Sequence, residues 1–361
     1  MIPLIKPFIG EEELMKVKEV LESGYLTEGS FTQEFEKKFA KYVGSKYAIA
    51  ICNATVGLEM VLKCIGVTSK DEIIVPDFTH PATADAAYLA GGECVLVDVD
   101  LESRNTTFDL VKNAINKNTK ATIPVSEFGN PLDESFYDLK DEVFILEDAA
   151  PSIGAEINGK KVGSFADATV FSFHPRKILT TGEGGMITTD DDELYEKLVS
   201  FKKFGEKHSE LGRFSFESIG TNYKLSNILS ALGLVQLDKL ETILKDRIKK
   251  AEYYNKLFSE TEKVAIPNKK NGTRHTYQSY TLYVKESNKR DFLIQKLKGR
   301  GIQTQIGTYA LHRENAFSKA KKIGELANSL KLFNNLLTLP LYYSMTKEEQ
   351  ETVFNNVMEL L

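Results

Sequence analysis

TVFSFHPRKILTTGEGGMITT, residues 169–189, is the stretch on which the reading of this chain turns. Its first five residues alternate and are β-branched or aromatic, as a strand requires. GEGG followed by MITT reads as a tight turn into a second short strand. Lys177 stands between the two. A lysine taken alone is an ordinary solvated side chain. At a strand end it can instead sit in a cleft, where lost hydration lowers its pKa and leaves a neutral amine able to form a Schiff base with a carbonyl.

Upstream, VFILEDAAPSIGA (143–155) is a short apolar run ending in two carboxylates, which sets Asp148 at a strand's carboxyl end. Alone, such a pair reads as a cap for the following helix or turn. Beside Lys177 it acquires a second meaning. A buried acid near a Schiff-base lysine keeps the pyridine nitrogen of pyridoxal 5'-phosphate (PLP) protonated and lets the ring act as an electron sink.

Strand-like runs at 46–51, 72–75, 93–98, 120–125, 143–146 and 168–173 alternate with helical segments. That alternation predicts an α/β fold with a mostly parallel sheet flanked by helices. Ligands of such sheets collect at the carboxyl ends of the strands, where Asp148 and Lys177 fall. After a long helical stretch beginning near Leu225 the chain turns Lys-rich, then returns to a strand at SYTLYV (279–284) and a helix at 288–300. The expected division is a large cofactor-binding domain over 1–244, its amino-terminal segment packing on a small α+β domain over 245–361.

With 361 residues, 42% of them hydrophobic, the chain can bury a core large enough for two such domains. A net charge of −5 with interspersed signs leaves no basic footprint for nucleic acid. No run of about 18 apolar residues suggests a membrane span, and the amino terminus does not read as a signal peptide, so a soluble cytoplasmic protein is expected. Cys52, Cys64 and Cys94 lack a CxxC spacing and read as buried free thiols. The five histidines show no ligand spacing, and no metal is expected.

Several further segments line up in one order with these: IPLIKPFIGEEE (2–13), SGYLTEGSFTQEFEKKFAKYVGSKYAIAICNAT (23–55), IIVPDFTHPATADAAYLAGGECVLVDVD (73–100), GTNYKLSNILSALGLVQLDKL (220–240) and LPLYYSMTKEE (339–349). Over nearly its whole length the chain resembles the DegT family of fold-type I PLP enzymes, mostly sugar aminotransferases acting on nucleotide-linked keto-sugars. The resemblance implies that Lys177 is the Schiff-base lysine and Asp148 the partner of the pyridine nitrogen. Residues Asn53 to Thr55 open a helix, whose amides and the Thr55 hydroxyl can hold a phosphate or simply form a helix start. The family usually carries Gly-Thr where this chain has Ala54 and Thr55. Ser172 matches the family's phosphate-contacting serine, and His80 stands where the family stacks a ring on the pyridine. Pro151 replaces a glutamine that reaches the ring hydroxyl, and proline cannot donate that bond.

Asn222 matches an asparagine that crosses to the partner's cofactor phosphate, which implies a homodimer with shared active sites. Lys224 stands in place of an arginine, keeping the charge without the planar fork. Tyr25, Thr27, Glu183, Lys224, Tyr309 and His312 fall in regions that surround substrate in the family. For the tyrosines a core role, and for Glu183 a solvated turn, is an equal reading. The implied reaction moves an amino group from an amino acid, glutamate by family analogy, to a nucleotide-linked keto-sugar. PLP alternates with pyridoxamine phosphate, and the product is an amino sugar for glycan or polysaccharide synthesis. Alternatives are amination of a cyclitol ketone or antibiotic precursor, and a non-catalytic regulatory protein of the same fold. Sugar 3-dehydratases of the family carry histidine instead of the lysine, which Lys177 argues against.

Overall fold

The computed structural model describes residues 1–208 and 214–361. The strand-like runs form Tyr47–Ile51 (β1), Glu72–Pro76 (β2), Glu93–Val97 (β3), Thr119–Thr122 (β4), Phe144–Asp148 (β5) and Ala168–Ser172 (β6), and MITT completes Gly185–Thr189 (β7). They pair in the order β1-β7-β6-β5-β4-β2-β3, and Lys321–Ile323 adds to the outer edge of β3. β7 runs antiparallel to both its neighbours, while the remaining pairs are parallel. An antiparallel pair needs no helical crossover, so the segment carrying Lys177 joins β6 to β7 as a loop.

Both faces of the sheet are buried, and alternate residues serve alternate faces. Ile49, Ile51, Ile73, Val75, Leu146, Val170 and Ile187 pack on one side against Ala54–Cys64 (the helix at the end of β1) and Pro81–Leu89. Ala48, Ala50, Phe171 and Met186 face the other side, against Ser30–Val43 and the first half of Asn227–Phe258. In chain order we label Glu11–Ser23 α1, Ser30–Val43 α2, Ala54–Cys64 α3, Pro81–Leu89 α4 and Asn227–Phe258 α5. α2 seats Phe35 and Phe39 on the sheet, with ring centroids 5.4 Å from Phe173 and 5.1 Å from Phe171 respectively. Each fully buried phenyl ring contributes roughly 2 kcal/mol, so Phe39→Ala would open the centre of this layer. α3 lies flush on β1 and β6 because residue 57 is glycine. A Cβ there would stand 2.3 Å from the Ile51 side chain.

α5 spans 32 residues and belongs to both cores. Leu237, Leu240 and Leu244 face the large sheet. Ala251, Tyr254 and Phe258 face a second core built on Tyr280–Val284 (β8), Leu336–Leu339 (β9), Lys289–Gly299 (α6) and Lys347–Leu360 (α7). β8 and β9 pair antiparallel. The amino terminus joins this second unit through Ile2 N–H to the Gly301 carbonyl and Leu341 N–H to the Leu4 carbonyl, at 2.8 and 3.1 Å. α1 packs on α5 through buried Glu13, which accepts from Gln236 and Lys239.

Residues 309–326, inside the carboxyl-terminal portion of the sequence reading, return to the large unit. Tyr309 and Ala310 pair with Thr79 and Phe78, and Leu311, Phe317, Ala320 and Leu326 join the α3-side core. The three cysteines are free, Cys94 buried and Cys52 and Cys64 half-buried. Among the described residues no helix is long and apolar enough to cross a membrane, and no cluster of His, Cys, Asp or Glu is placed to hold a metal.

Candidate active site

Sheet register sets the candidate residues in a row. Asp148, the last residue of β5, pairs with Val170 of β6, and Ser172 ends β6 two residues further on. Ser172 pairs with Gly185 of β7, and Gly185 with Ile51 of β1. Just beyond Ile51 the chain enters α3, capped by the Asn53 side chain, which accepts from Val56 N–H at 3.0 Å. The amides of Ala54 and Thr55 make no hydrogen bond with the described residues. They add to the positive end of the helix dipole. Gly185 admits this approach, since a Cβ there would lie 3.0 Å from the Ala54 nitrogen.

Asp148 is 5% exposed and is held on both oxygens. Thr83, in the first turn of α4, donates to Oδ2 at 2.8 Å, and Ala150 N–H donates to Oδ1 at 3.1 Å. Its own N–H donates to the Pro124 carbonyl, and its carbonyl accepts from Ser126 N–H. A carboxylate fixed this way presents its charge in a set direction, as a protonated pyridine nitrogen needs. Pro151 lies buried in the following turn.

Lys177 is half-buried, and its ammonium makes no hydrogen bond or ion pair with the described residues. Burial lowers its pKa from the ordinary lysine value, and Asp148 and Glu127 oppose that shift without cancelling it. The site therefore contains an unpaired lysine whose neutral form is favoured by burial, with a held carboxyl group near it. Ser172 is half-buried, its hydroxyl 3.4 Å from the His174 amide.

His80 caps α4, its Nδ1 accepting from Ala82 N–H at 3.2 Å, and its ring meets that of Tyr309 edge-on at 6.2 Å. His80 lies at the surface, and partial desolvation and the charge of Lys177 push its pKa down, favouring the neutral ring. His312 is bound to Asp77, with Nδ1 2.6 Å from Oδ2 and the backbone N–H 2.7 Å from Oδ1. The structure thus brings His80, Tyr309 and His312 onto one rim with the Asp148 strand end. Glu183 lies exposed in the turn between Gly182 and Gly184, close enough to act on the titration of Cys52 and His174.

Tyr25 and Thr27 are exposed on a loop pinned to the start of α5, where Asn227 Nδ2 donates to the Tyr25 carbonyl. The same loop is held by Glu28, which pairs with Lys202 at 2.9 Å and Lys203 at 3.0 Å, and Lys202 also pairs with Glu36 at 3.0 Å. Asn222 is exposed and its side chain is unbonded within the described residues, although its backbone bridges to Lys203. Lys224 bridges to Ile51 at the edge of β1, with its ammonium 4.9 Å from the centre of the Phe204 ring. Within one chain Tyr25, Thr27 and Asn222 are not joined by side-chain bonds to the Lys177 cleft.

Sequence reasoning missed Thr83, Asp77 and Glu127. Glu127 is 7% exposed and lies just past Val125, which bridges to Asp148. Burial and the charge of Asp148 raise its pKa to about 7, with Lys177 opposing. The signal available was position: Glu127 follows the run 120–125, at the carboxyl end of a parallel strand, where ligands collect.

PLP fits this donor set by its chemistry. Free amides with the Thr55 and Ser172 hydroxyls suit a phosphate, Asp148 suits a pyridinium, and Lys177 suits an aldehyde. Residues 7–358 match the family model described as the DegT/DnrJ/EryC1/StrS aminotransferase family. The GDP-perosamine synthase of Caulobacter vibrioides is 35% identical over 318 residues, which span 86% of this chain and 85% of that protein. Among solved structures, Helicobacter pylori PseC, an aminotransferase involved in the biosynthesis of pseudoaminic acid, is 26% identical. It superposes with a TM-score of 0.95 over 99% of this chain and 98% of its own. The PLP form of Streptococcus pneumoniae Spr1654, provisionally assigned as a sugar aminotransferase, is 27% identical with a TM-score of 0.93 over 100% and 99%. By the extent of that family match, by these relatives and by the sheet they share, the chain belongs to the DegT/DnrJ/EryC1/StrS aminotransferase family.

Proposed function

We propose that this protein is a PLP-dependent aminotransferase moving an amino group from an amino acid, glutamate first among them, to a nucleotide-linked keto-deoxy-sugar. The observation that carries the reading is the unpaired, pKa-lowered Lys177 beside the doubly held carboxylate of Asp148. Ala54, Thr55 and Ser172 would hold the phosphate, Asp148 the ring nitrogen, His80 a face of the ring and Lys177 the aldehyde. When bound, the cofactor supplies a carbonyl that condenses with amines and a ring that accepts electrons. Lys177 Nζ would take the proton from the donor's Cα. In the return half it gives a proton to the carbon that was the sugar's carbonyl. Asp148 would face the ring nitrogen, and Thr83 keeps its carboxylate oriented.

A homodimer with shared sites belongs to the same proposal. Leu14, Met15 and Leu21 on α1, Tyr25 and Leu26 on the following loop, and Phe216 and Ile219 near Asn222 are exposed in one chain. A second copy that covered these side chains would bring Asn222 to the neighbouring phosphate.

The test is an absorbance spectrum of the protein with PLP before and after glutamate, followed by borohydride reduction and peptide mapping. A visible band that shifts with glutamate, with the reduced adduct on Lys177, supports the reading. A protein that binds no PLP, or carries the adduct on another lysine, overturns it.

A further inference from the structure

Arg247, on α5 between the two cores, is 4% exposed and meets no carboxylate among the described residues. Its Nε donates to the Tyr277 carbonyl at 2.6 Å and its Nη2 to the Gln278 carbonyl, which leaves Nη1 without a partner among the described residues. Asp246, the carboxylate whose charge acts on it, is bound to Lys250 at 2.5 Å. Burial lowers the Arg247 pKa to about 10, so the guanidinium keeps its charge near pH 7. A buried cation of this kind is costly until an anion meets it.

An open recess of about 300 Å³ lies beside it, at the lower end of the range for small-molecule sites. Arg176, Gln278, Ser279, Gln305 and Thr338 line the recess with Arg247, and no acidic side chain among the described residues does. Arg176 is exposed and forms no ion pair among the described residues; its Nη1 donates to Gln305 Oε1 at 3.3 Å. Gln278 Nε2 donates to the Arg176 carbonyl at 2.8 Å, and Gln305 pairs with Thr338 of β9. The recess is therefore walled by the β6–β7 loop and by the second unit. Arg176 directly precedes Lys177, and its charge acts on both Lys177 and His80.

We propose that Arg176 and Arg247 form a carboxylate site, which takes a carboxylate of the amino-acid donor while the donor's amine faces Lys177. A carboxylate can accept from a guanidinium through both its oxygens, and here it would meet two guanidiniums whose charges are otherwise unanswered. An amino acid carries both groups in one molecule, an anion for the recess and an amine for the adjoining cleft. The donor's part in this inference rests on the aminotransferase reading, and the carboxylate site on the two arginines alone.

Calorimetric titration of the cofactor-free protein with glutarate tests the site. The wild type binds glutarate, and glutamate displaces it. R176M weakens binding about 10- to 100-fold, the range of a hydrogen bond to a charged group, and R176K recovers part of that loss, because it keeps the charge without the fork. R247M weakens binding too; where that buried variant fails to fold, the exposed R176M decides. In the half-reaction of the PLP form with glutamate, R176M raises the glutamate concentration needed by a similar factor and leaves the rate at saturation unchanged, since the lost contact serves bound donor and transition state alike. An equal loss of affinity for glutamine places the donor's α-carboxylate in the recess, and a loss confined to glutamate places its side-chain carboxylate there. A wild type that binds no glutarate, or a glutarate affinity that R176M leaves unchanged, overturns the proposal. So does displacement of glutarate by GDP or UDP but not by glutamate. A wild type that binds glutarate through Arg176, yet whose PLP form reacts with no amino acid, sinks the aminotransferase reading and keeps the carboxylate site.

Discussion

Lys202 and Lys177 are both drawn into the protein near two carboxylates, Glu28 and Glu36 for the first, Asp148 and Glu127 for the second. Lys202 touches both partners, at 2.9 and 3.0 Å, and also donates to the Ala50 carbonyl at 3.2 Å. Its pKa is raised despite the cost of burial. Lys177 touches neither carboxylate, and burial prevails. Attraction between opposite charges is roughly 5 kcal/mol at about 3 Å and an effective dielectric constant near 20, and falls with distance. Contact makes one lysine a strut, and its absence leaves the other an available amine.

The largest way to break the contrast is to remove the amine. K177A should lower kcat about 10³-fold or more, because proton transfer and covalent attachment are lost together; single-turnover assays with glutamate would measure it. Should K177A turn over near the wild-type rate, Lys177 would be no different in kind from Lys202. K202M should cost roughly 3–5 kcal/mol in chemical denaturation, since it strands two carboxylates that are at most partly exposed. An unchanged midpoint would show that Lys202 is not the strut.

K177M should do the opposite in the cofactor-free protein and stabilise it by about 1 kcal/mol, a modest gain because the amine keeps some contact with water. Lys177 has a folded pKa below its unfolded value near 10.5. Between those two values the unfolded chain binds the extra proton, so wild-type stability rises with pH across that window. K177M should lack this slope, and melts from pH 7 to 10 would reveal it. The smallest effect is expected at Lys203, whose side chain is 34% exposed in its pair with Glu28. K203A should change stability by less than about 1 kcal/mol; a loss matching that of K202M would mean that exposure does not separate the two pairs.

Much of this contrast was open to reading from one dimension and much was not. Lys177 and Asp148 stand out because each follows an apolar run at a strand end, so the sheet's own periodicity points to them. The strands themselves were legible for the same reason: Ile49 and Ile51 serve one face and Ala48 and Ala50 the other. Lys202 has no such signature, since Glu28 and Glu36 come from a loop and helix more than 160 residues away. Lys321–Ile323 was hidden because a KKI triplet reads as solvated surface, and only its pairing with Val95–Val97 makes it a strand. Thr83 escaped because its meaning lies in a bond to Asp148 that joins a helix start to a strand end, which no spacing along the chain encodes.

That late edge strand has a consequence for how the protein is made. β3 is complete at Val97, yet the segment that covers its open side is not synthesised until residue 321. At about 5–20 residues per second, a ribosome needs roughly 10–45 s to bridge that interval. Throughout it the nascent sheet presents an apolar, unpaired β3 edge, the kind of template on which chains associate wrongly. Truncated or stalled products ending before Lys321 should therefore depend on chaperones far more than the finished chain, even though Asp148, Ser172 and Lys177 are already present.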